Sequence, residues 1–232
     1  TANLLARDLG LPLSLDAAIA GLSNLSPRQI DVGAMNGRIY LHKIVVGFAP
    51  GVALQREKMR ERKGLAATVE FLRYFAGKIT KPRSVTLDVT IGEGPCVTRR
   101  LRSIAVANNT YDEGLGRIFA RKRLDRGVFG VYLIHRFTLA DLLRLSAGML
   151  IGRWRRDAAL AIETARHVEI AGRQISVQAM IDGEVDTVDM PLRFDIRPAA
   201  LTVLAPIVAV EGSQDSADGG LPRGAPPAMA TA

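Results

Sequence analysis

Gln29-Ile30-Asp31-Val32-Gly33-Ala34-Met35-Asn36-Gly37-Arg38-Ile39-Tyr40-Leu41-His42-Lys43-Ile44-Val45-Val46-Gly47-Phe48 sets the fold class. Two apolar runs, Ile30 to Ala34 and Ile39 to Phe48, flank Asn36-Gly37, a dipeptide whose ease with positive φ favours a tight hairpin. Downstream, Val85, Leu87, Val89 and Ile91 alternate with Thr86, Asp88 and Thr90, the period of a half-buried strand. Gly92-Glu93-Gly94-Pro95 turns the chain, and Cys96 to Arg102 returns. Further strands are expected at Ser103 to Ala107, Val128 to Ile134, His167 to Ile170, Ile175 to Ile181 and Leu192 to Arg197, before an apolar Ala200 to Ala205. The polar segment Asn108 to Gly114 reads as a loop that presents side chains to a ligand.

Helices are fewer. Asn3 to Leu9 ends at Gly10 and Pro12, and Ser14 is placed to cap a second helix whose Leu15, Ala18, Ile19 and Leu22 form one packing face. Gly64 to Ala76 and a Thr138-capped Leu139 to Ile151 complete the set. Short strands joined by glycine-containing turns predict a mostly β, α+β protein: an antiparallel β-sandwich-like domain with peripheral helices.

The chain has 232 residues, 48% of them hydrophobic, enough to bury a sizeable core. No run of 18 apolar residues predicts a membrane span. The lone Cys96 offers neither a disulfide partner nor a metal-ligand spacing and reads as a small buried residue. A net charge of +8 calls for an anionic partner, a membrane or a nucleic acid. The basic runs Arg56 to Lys63 and Arg153-Trp154-Arg155-Arg156 suit the former, with Trp154 at headgroup level. Aromatics are only 5% of the chain, too few to stack bases, so no nucleic acid is expected.

Thr1-Ala2-Asn3-Leu4-Leu5-Ala6-Arg7-Asp8-Leu9-Gly10-Leu11-Pro12 is similar to the Gly-Thr-x-Asn-x-x-Ala-Arg segment of the diacylglycerol kinase catalytic family, which includes bacterial lipid kinases and sphingosine kinases. Ile30-Asp31-Val32-Gly33, Asn36-Gly37, Val46-Gly47-Phe48, Ala107-Asn108-Asn109, Leu124-Asp125-Arg126-Gly127 and Ile181-Asp182-Gly183-Glu184 resemble later family segments in the same order. The resemblance implies three parts: 1–28 as helices left from an N-terminal nucleotide-binding α/β domain, 29–206 as the C-terminal β-sandwich, and 207–232 as a disordered tail. The family's Gly-Gly-Asp-Gly-Thr nucleotide loop is absent from this sequence, so the chain reads as the C-terminal portion of an ATP- and Mg2+-dependent kinase, inactive by itself.

By resemblance, Glu184 is the base that takes the proton of a lipid hydroxyl, with Asp182 supporting it, and Thr1 and Asn3 face the nucleotide. A lipid alcohol is a poor nucleophile until a base accepts its proton, which is why a carboxylate is wanted there. Two apart on an extended strand, Asp182 and Glu184 would point to one side. Asn3 also suits a helix N-cap. Where some family members hold a metal, Arg126 replaces an aspartate, so no metal site is predicted. His42, His135 and His167 are scattered and read as strand-surface residues. The acceptor implied is a lipid at the membrane surface, diacylglycerol first. The implied setting is cytoplasmic and peripheral to the inner face of the membrane, and a homodimer is left open. The competing reading is a non-catalytic basic β-domain that binds anionic membranes or nucleic acid.

Overall fold

The computed structural model describes residues 3–60, 70, 73, 77, 84–115, 119–135 and 138–206. Among these residues twelve strands form two six-stranded antiparallel sheets. One sheet is ordered β2 (Arg38–Tyr40), β1 (Leu25–Met35), β12 (Leu192–Pro206), β9 (His167–Ala171), β4 (Val85–Ile91) and β5 (Val97–Leu101). The other is ordered β11 (Glu184–Asp189), β10 (Ser176–Ile181), β3 (Lys43–Gly47), β6 (Ser103–Asn108), β7 (Phe129–Ile134) and β8 (Leu160–Ala165). Their inner faces enclose one core that includes Tyr40, Ile44, Val46, Val89, Leu101, Ile104, Phe129, Val131, Ile170, Leu192 and Phe194. The mostly β, sandwich-like class read from the alternation is the observed one.

The hairpin at Asn36-Gly37 forms as its residues require, with φ of 49° and 83°, and pairs Met35 with Arg38. Tyr40 then folds its ring over Gly33, directly opposite on β1, where a Cβ would lie 2.5 Å from the ring. β1 changes register against β12 between Ile30 and Val32. The residue in the bulge, Asp31, is buried, and its carboxylate accepts hydrogen bonds from the N–H groups of Gly127 (2.6 Å) and Ala199 (2.9 Å). An aspartate in the middle of an apolar strand is thus the fastener of an irregular ladder.

Two strands go beyond the sequence reading, β8 and β11, and Leu192 to Pro206 forms one strand where a strand and a separate apolar segment were expected. Phe48–Arg60 is a helix (α3), entered through Gly47, and the single strand expected over Ile39 to Phe48 is instead two, β2 and β3, which the chain between them sends to different sheets. The side chains of 55–60, with most of the basic run, and most of the helix expected over Gly64 to Ala76 lie outside the described residues, as does 207–232.

The N-terminal helices are short: α1 (Leu4–Asp8) and α2 (Leu15–Ala20). Contrary to expectation, neither Ser14 nor Asn3 makes a side-chain cap, Asn3 being left-handed at φ 45° and accepting the Arg7 N–H at its carbonyl. The expected packing face of α2 is unburied, with Leu15 and Ile19 facing solvent. Leu139–Ile151 (α4) carries a full capping box, Thr138 and Asp141 exchanging hydrogen bonds. Leu145 and Met149 of α4 pack with Tyr132 and Trp154 on the outer side of the second sheet. Trp154 is therefore buried, not at a headgroup level, because a ring 6.0 Å from Tyr132 fills the space under the helix. Cys96, expected inside, is exposed ahead of β5. No helix among the described residues is long and apolar enough to cross a membrane.

Candidate active site

Ile181-Asp182-Gly183-Glu184 closes the β10–β11 hairpin through a two-residue turn, Asp182 at φ 49° and Gly183 at φ 107°, with Ile181 paired to Glu184. The turn changes what the two carboxylates can do. They do not share a side of an extended strand, because Asp182 has left the strand for the left-handed region. Its carboxylate instead accepts from three consecutive backbone N–H groups where the chain passes from β2 into β3: Leu41 (2.7 Å), His42 (2.8 Å) and Lys43 (3.0 Å). Its own N–H donates to the Lys43 carbonyl at 2.9 Å. Asp182 is a brace that fixes the hairpin tip against the neighbouring loop.

Glu184 is exposed, and its carboxylate has no hydrogen bond or ion pair among the described residues. Along β11 it shares a face with Asp186 and Val188. Val188 packs against the inter-sheet core, and Asp186 pairs with Arg38 of β2, in the other sheet. Glu184 therefore stands at the rim of the gap between the sheets, a free carboxylate on a fixed frame.

Behind the braced loop lies a polar cluster that sequence reading missed. His42 is buried, contrary to the strand-surface expectation, with Nδ1 3.3 Å from the Tyr111 hydroxyl. Burial, helped by the nearby charges of Arg121 and Lys43, lowers its pKa to about 3. Burial, and then Arg121, also lowers Lys43 to about 8, and its ammonium sits 3.8 Å from the centroid of the Phe119 ring. Burial pushes the Tyr111 hydroxyl well above its usual range.

Arg121 is the hub. Its side chain and that of Asp8, the last residue of α1, are both almost wholly buried, and the guanidinium Nε donates to Asp8 at 2.7 Å. The same guanidinium donates to the carbonyls of Leu41 (2.9 Å) and Asn108 (2.6 Å). Burial raises the Asp8 carboxyl above its ordinary value, against the pull of Arg121. The pair closes one wall of a cleft of about 340 Å3 that Arg7, Arg28 and Lys122 also line, a setting that favours an anion. No local sequence signal links Asp8 to Arg121; the fold alone brings them together.

Asn108 to Tyr111, expected to present side chains to a ligand, is instead buried. Asn108 donates to the Asp31 carbonyl (2.7 Å), and Asn109 accepts the Arg126 N–H (2.9 Å). His167, exposed as expected, has Asp195 at 2.6 Å from Nδ1, a partner that cross-strand pairing of β9 with β12 supplies. His135 is exposed. Thr1 lies outside the described residues, and Asn3 precedes α1 without lining the Arg7 cleft.

A hard cation needs several converging oxygen donors. Among the described residues no three His, Cys, Asp or Glu side chains converge in that way. At the segment where a structural ion would be sought, the Arg126 guanidinium donates to Asp112 (2.6 Å) and Thr110 (2.7 Å). A cation already holds the carboxylate, so these residues do not fit a divalent ion.

The chain is similar in structure to a diacylglycerol kinase from Bacillus anthracis str. Sterne, with a TM-score of 0.59, 15% identity and 87% of this chain covered. A second structure from the same organism, described as a "putative diacylglycerol kinase", matches with a TM-score of 0.62, 16% identity and 86% coverage. At such identities the likeness concerns the fold. This chain spans 62% and 64% of the lengths of those two proteins. Residues 45–205 match the family model described as the YegS C-terminal NAD kinase beta sandwich-like domain. With most of the chain inside that match and the two-sheet architecture in place, this protein belongs to the YegS C-terminal, NAD kinase-like β-sandwich family.

Proposed function

We propose that this chain is the C-terminal, lipid-facing part of an ATP-dependent lipid kinase, with Glu184 as the base and diacylglycerol as the acceptor. The observation that carries the reading is the hairpin tip: Asp182 is held by three backbone N–H groups, while Glu184 beside it is exposed and unpaired among the described residues. A base must be both held in place and free to accept a proton, and the tip divides those tasks between two carboxylates. Glu184 accepts the hydroxyl proton as the lipid oxygen bonds to the γ-phosphorus of ATP and the bond from that phosphorus to ADP breaks. Asp182 is a positioning residue. Thr1 and Asn3 would face ATP, which would supply the phosphoryl group, with Mg2+ to neutralise its charge. The work takes place peripherally, at the cytoplasmic face of a membrane.

The test is kinase turnover of the full-length protein with ATP, Mg2+ and detergent-dispersed diacylglycerol. Glu184→Gln is expected to lower kcat by about 100-fold or more with an unchanged thermal midpoint, since general-base catalysis contributes on that scale. Asp182→Ala should lower both activity and the thermal midpoint, since three N–H groups lose their acceptor. Full turnover in Glu184→Gln sinks the assignment.

A further inference from the structure

A helix lying on a sheet needs one apolar side, yet α4 has two. Leu145 and Met149 face the sheet. On the other side Leu139, Leu143, Leu150 and Ile151 form a stripe at helical spacing, each between 56% and 64% exposed. The helix ends at Gly152, which turns at φ 73° so close to the preceding loop that a Cβ there would lie 2.9 Å from the Leu115 nitrogen. Leu115, 82% exposed, is thereby held next to the end of the stripe. Arg153 and Arg156 follow, lining a cleft of about 550 Å3 with Gly152 and Glu113. The Glu113 carboxylate accepts the Arg155 N–H at 2.7 Å, and neither Arg153 nor Arg156 has an ion pair among the described residues. Arg144, by contrast, is neutralised by Asp141 and Asp157.

We infer that α4 is the element that seats this protein on an anionic lipid surface. Leu139, Leu143, Leu150, Ile151 and Leu115 enter the acyl boundary, and Arg153 and Arg156 meet lipid phosphates at its edge. A flat apolar stripe about 20 Å long, for 13 residues at 1.5 Å each, with unpaired cations at its end suits a helix lying in the plane of an anionic interface. The exposed Leu15 and Ile19 of α2 sit on a six-residue helix with no basic residue in its last turn and offer no such match. The inference rests on the lipid-kinase reading for its purpose and names the membrane-facing element within it.

The experiment is flotation of the 232-residue chain, without nucleotide, with phosphatidylcholine vesicles that do or do not contain phosphatidylglycerol. The chain is expected to float with the anionic vesicles. Leu143→Asp combined with Leu150→Asp should lower binding at least about tenfold. Arg153→Gln and Arg156→Gln should each weaken it about fivefold and together remove the preference for phosphatidylglycerol. Ile19→Asp, on α2, should bind as the unaltered chain does. Circular dichroism checks that the stripe variants are folded. Independently, a polarity-sensitive dye on Leu143→Cys, in a Cys96→Ser background, should shift to the blue with anionic vesicles.

The inference is overturned if the chain does not float, if the stripe variants float undiminished, if Ile19→Asp loses binding equally, or if the dye does not shift. It is also overturned if the chain is a dimer that Leu143→Asp separates in the absence of lipid, which would make the stripe an interface between copies. Binding to duplex DNA in place of vesicles overturns it as well. Because the Glu184 assay uses detergent-dispersed lipid, failure here leaves that result separate.

Discussion

Asp182 and Glu184 are two residues apart, yet a single left-handed residue gives them different work. The Asp-Gly pair is legible in sequence as a turn; that the Asp182 carboxylate would cap three N–H groups of a loop about 140 residues away is not. His42 shows the same limit. Its neighbours in sequence suggest an exposed strand, but Tyr111 and Arg121 close over it from distant segments. Its folded pKa of about 3, below the ordinary 6.5, fixes the sign of a pH effect. Between those values the unfolded chain binds a proton that the folded one refuses, so stability is full above pH 6.5 and falls as the pH drops toward 3. The shift corresponds to a loss on the order of 5 kcal/mol. Thermal midpoints of the unaltered chain and of His42→Gln, measured across that range, should show the unaltered chain losing stability more steeply as the pH falls, because glutamine does not titrate.

Among the elements, strands with one apolar face were readable by alternation, β4 most clearly. β11 was not, because Glu-Val-Asp-Thr-Val-Asp is an edge strand wetted along most of its length, and only Val185 and Val188 hint at pairing. α3 was hidden by the apolar run that precedes it: nothing local says that the strand ends at Gly47. The structure gives the reason. At φ 107°, with the Arg102 carbonyl oxygen 2.4 Å from where a Cβ would be, Gly47 can be neither extended nor substituted without backbone movement. Gly47→Ala should therefore cost about 3 kcal/mol or more, whereas Gly37→Ala, at φ 83° with open space around it, should cost about 1 kcal/mol. Urea denaturation of the two variants measures the difference, and equal costs would contradict the packing at the β3–α3 junction.

At the scale of the whole molecule, the Asp8–Arg121 pair ties the N-terminal helical segment to the sandwich, through Leu41 and Asn108 as well. Removing one partner of a buried pair leaves an uncompensated charge, so Asp8→Asn should destabilise by about 3 kcal/mol. Arg121→Met should cost more, since it also strips two carbonyls of their donor. Denaturant midpoints for both variants test that order. By itself the sequence determined the β content, the Asn36-Gly37 hairpin, the capped helix at Leu139 and the ordered segments that resemble a lipid kinase family, because each rests on local periodicity, turn chemistry or residue identity. Only the tertiary structure decided which carboxylate is braced and which is free, that His42 and Trp154 are buried, and that α4 keeps an apolar side toward solvent. Those outcomes depend on what the sheets bring alongside each residue, and strand pairing across more than a hundred residues leaves no local trace.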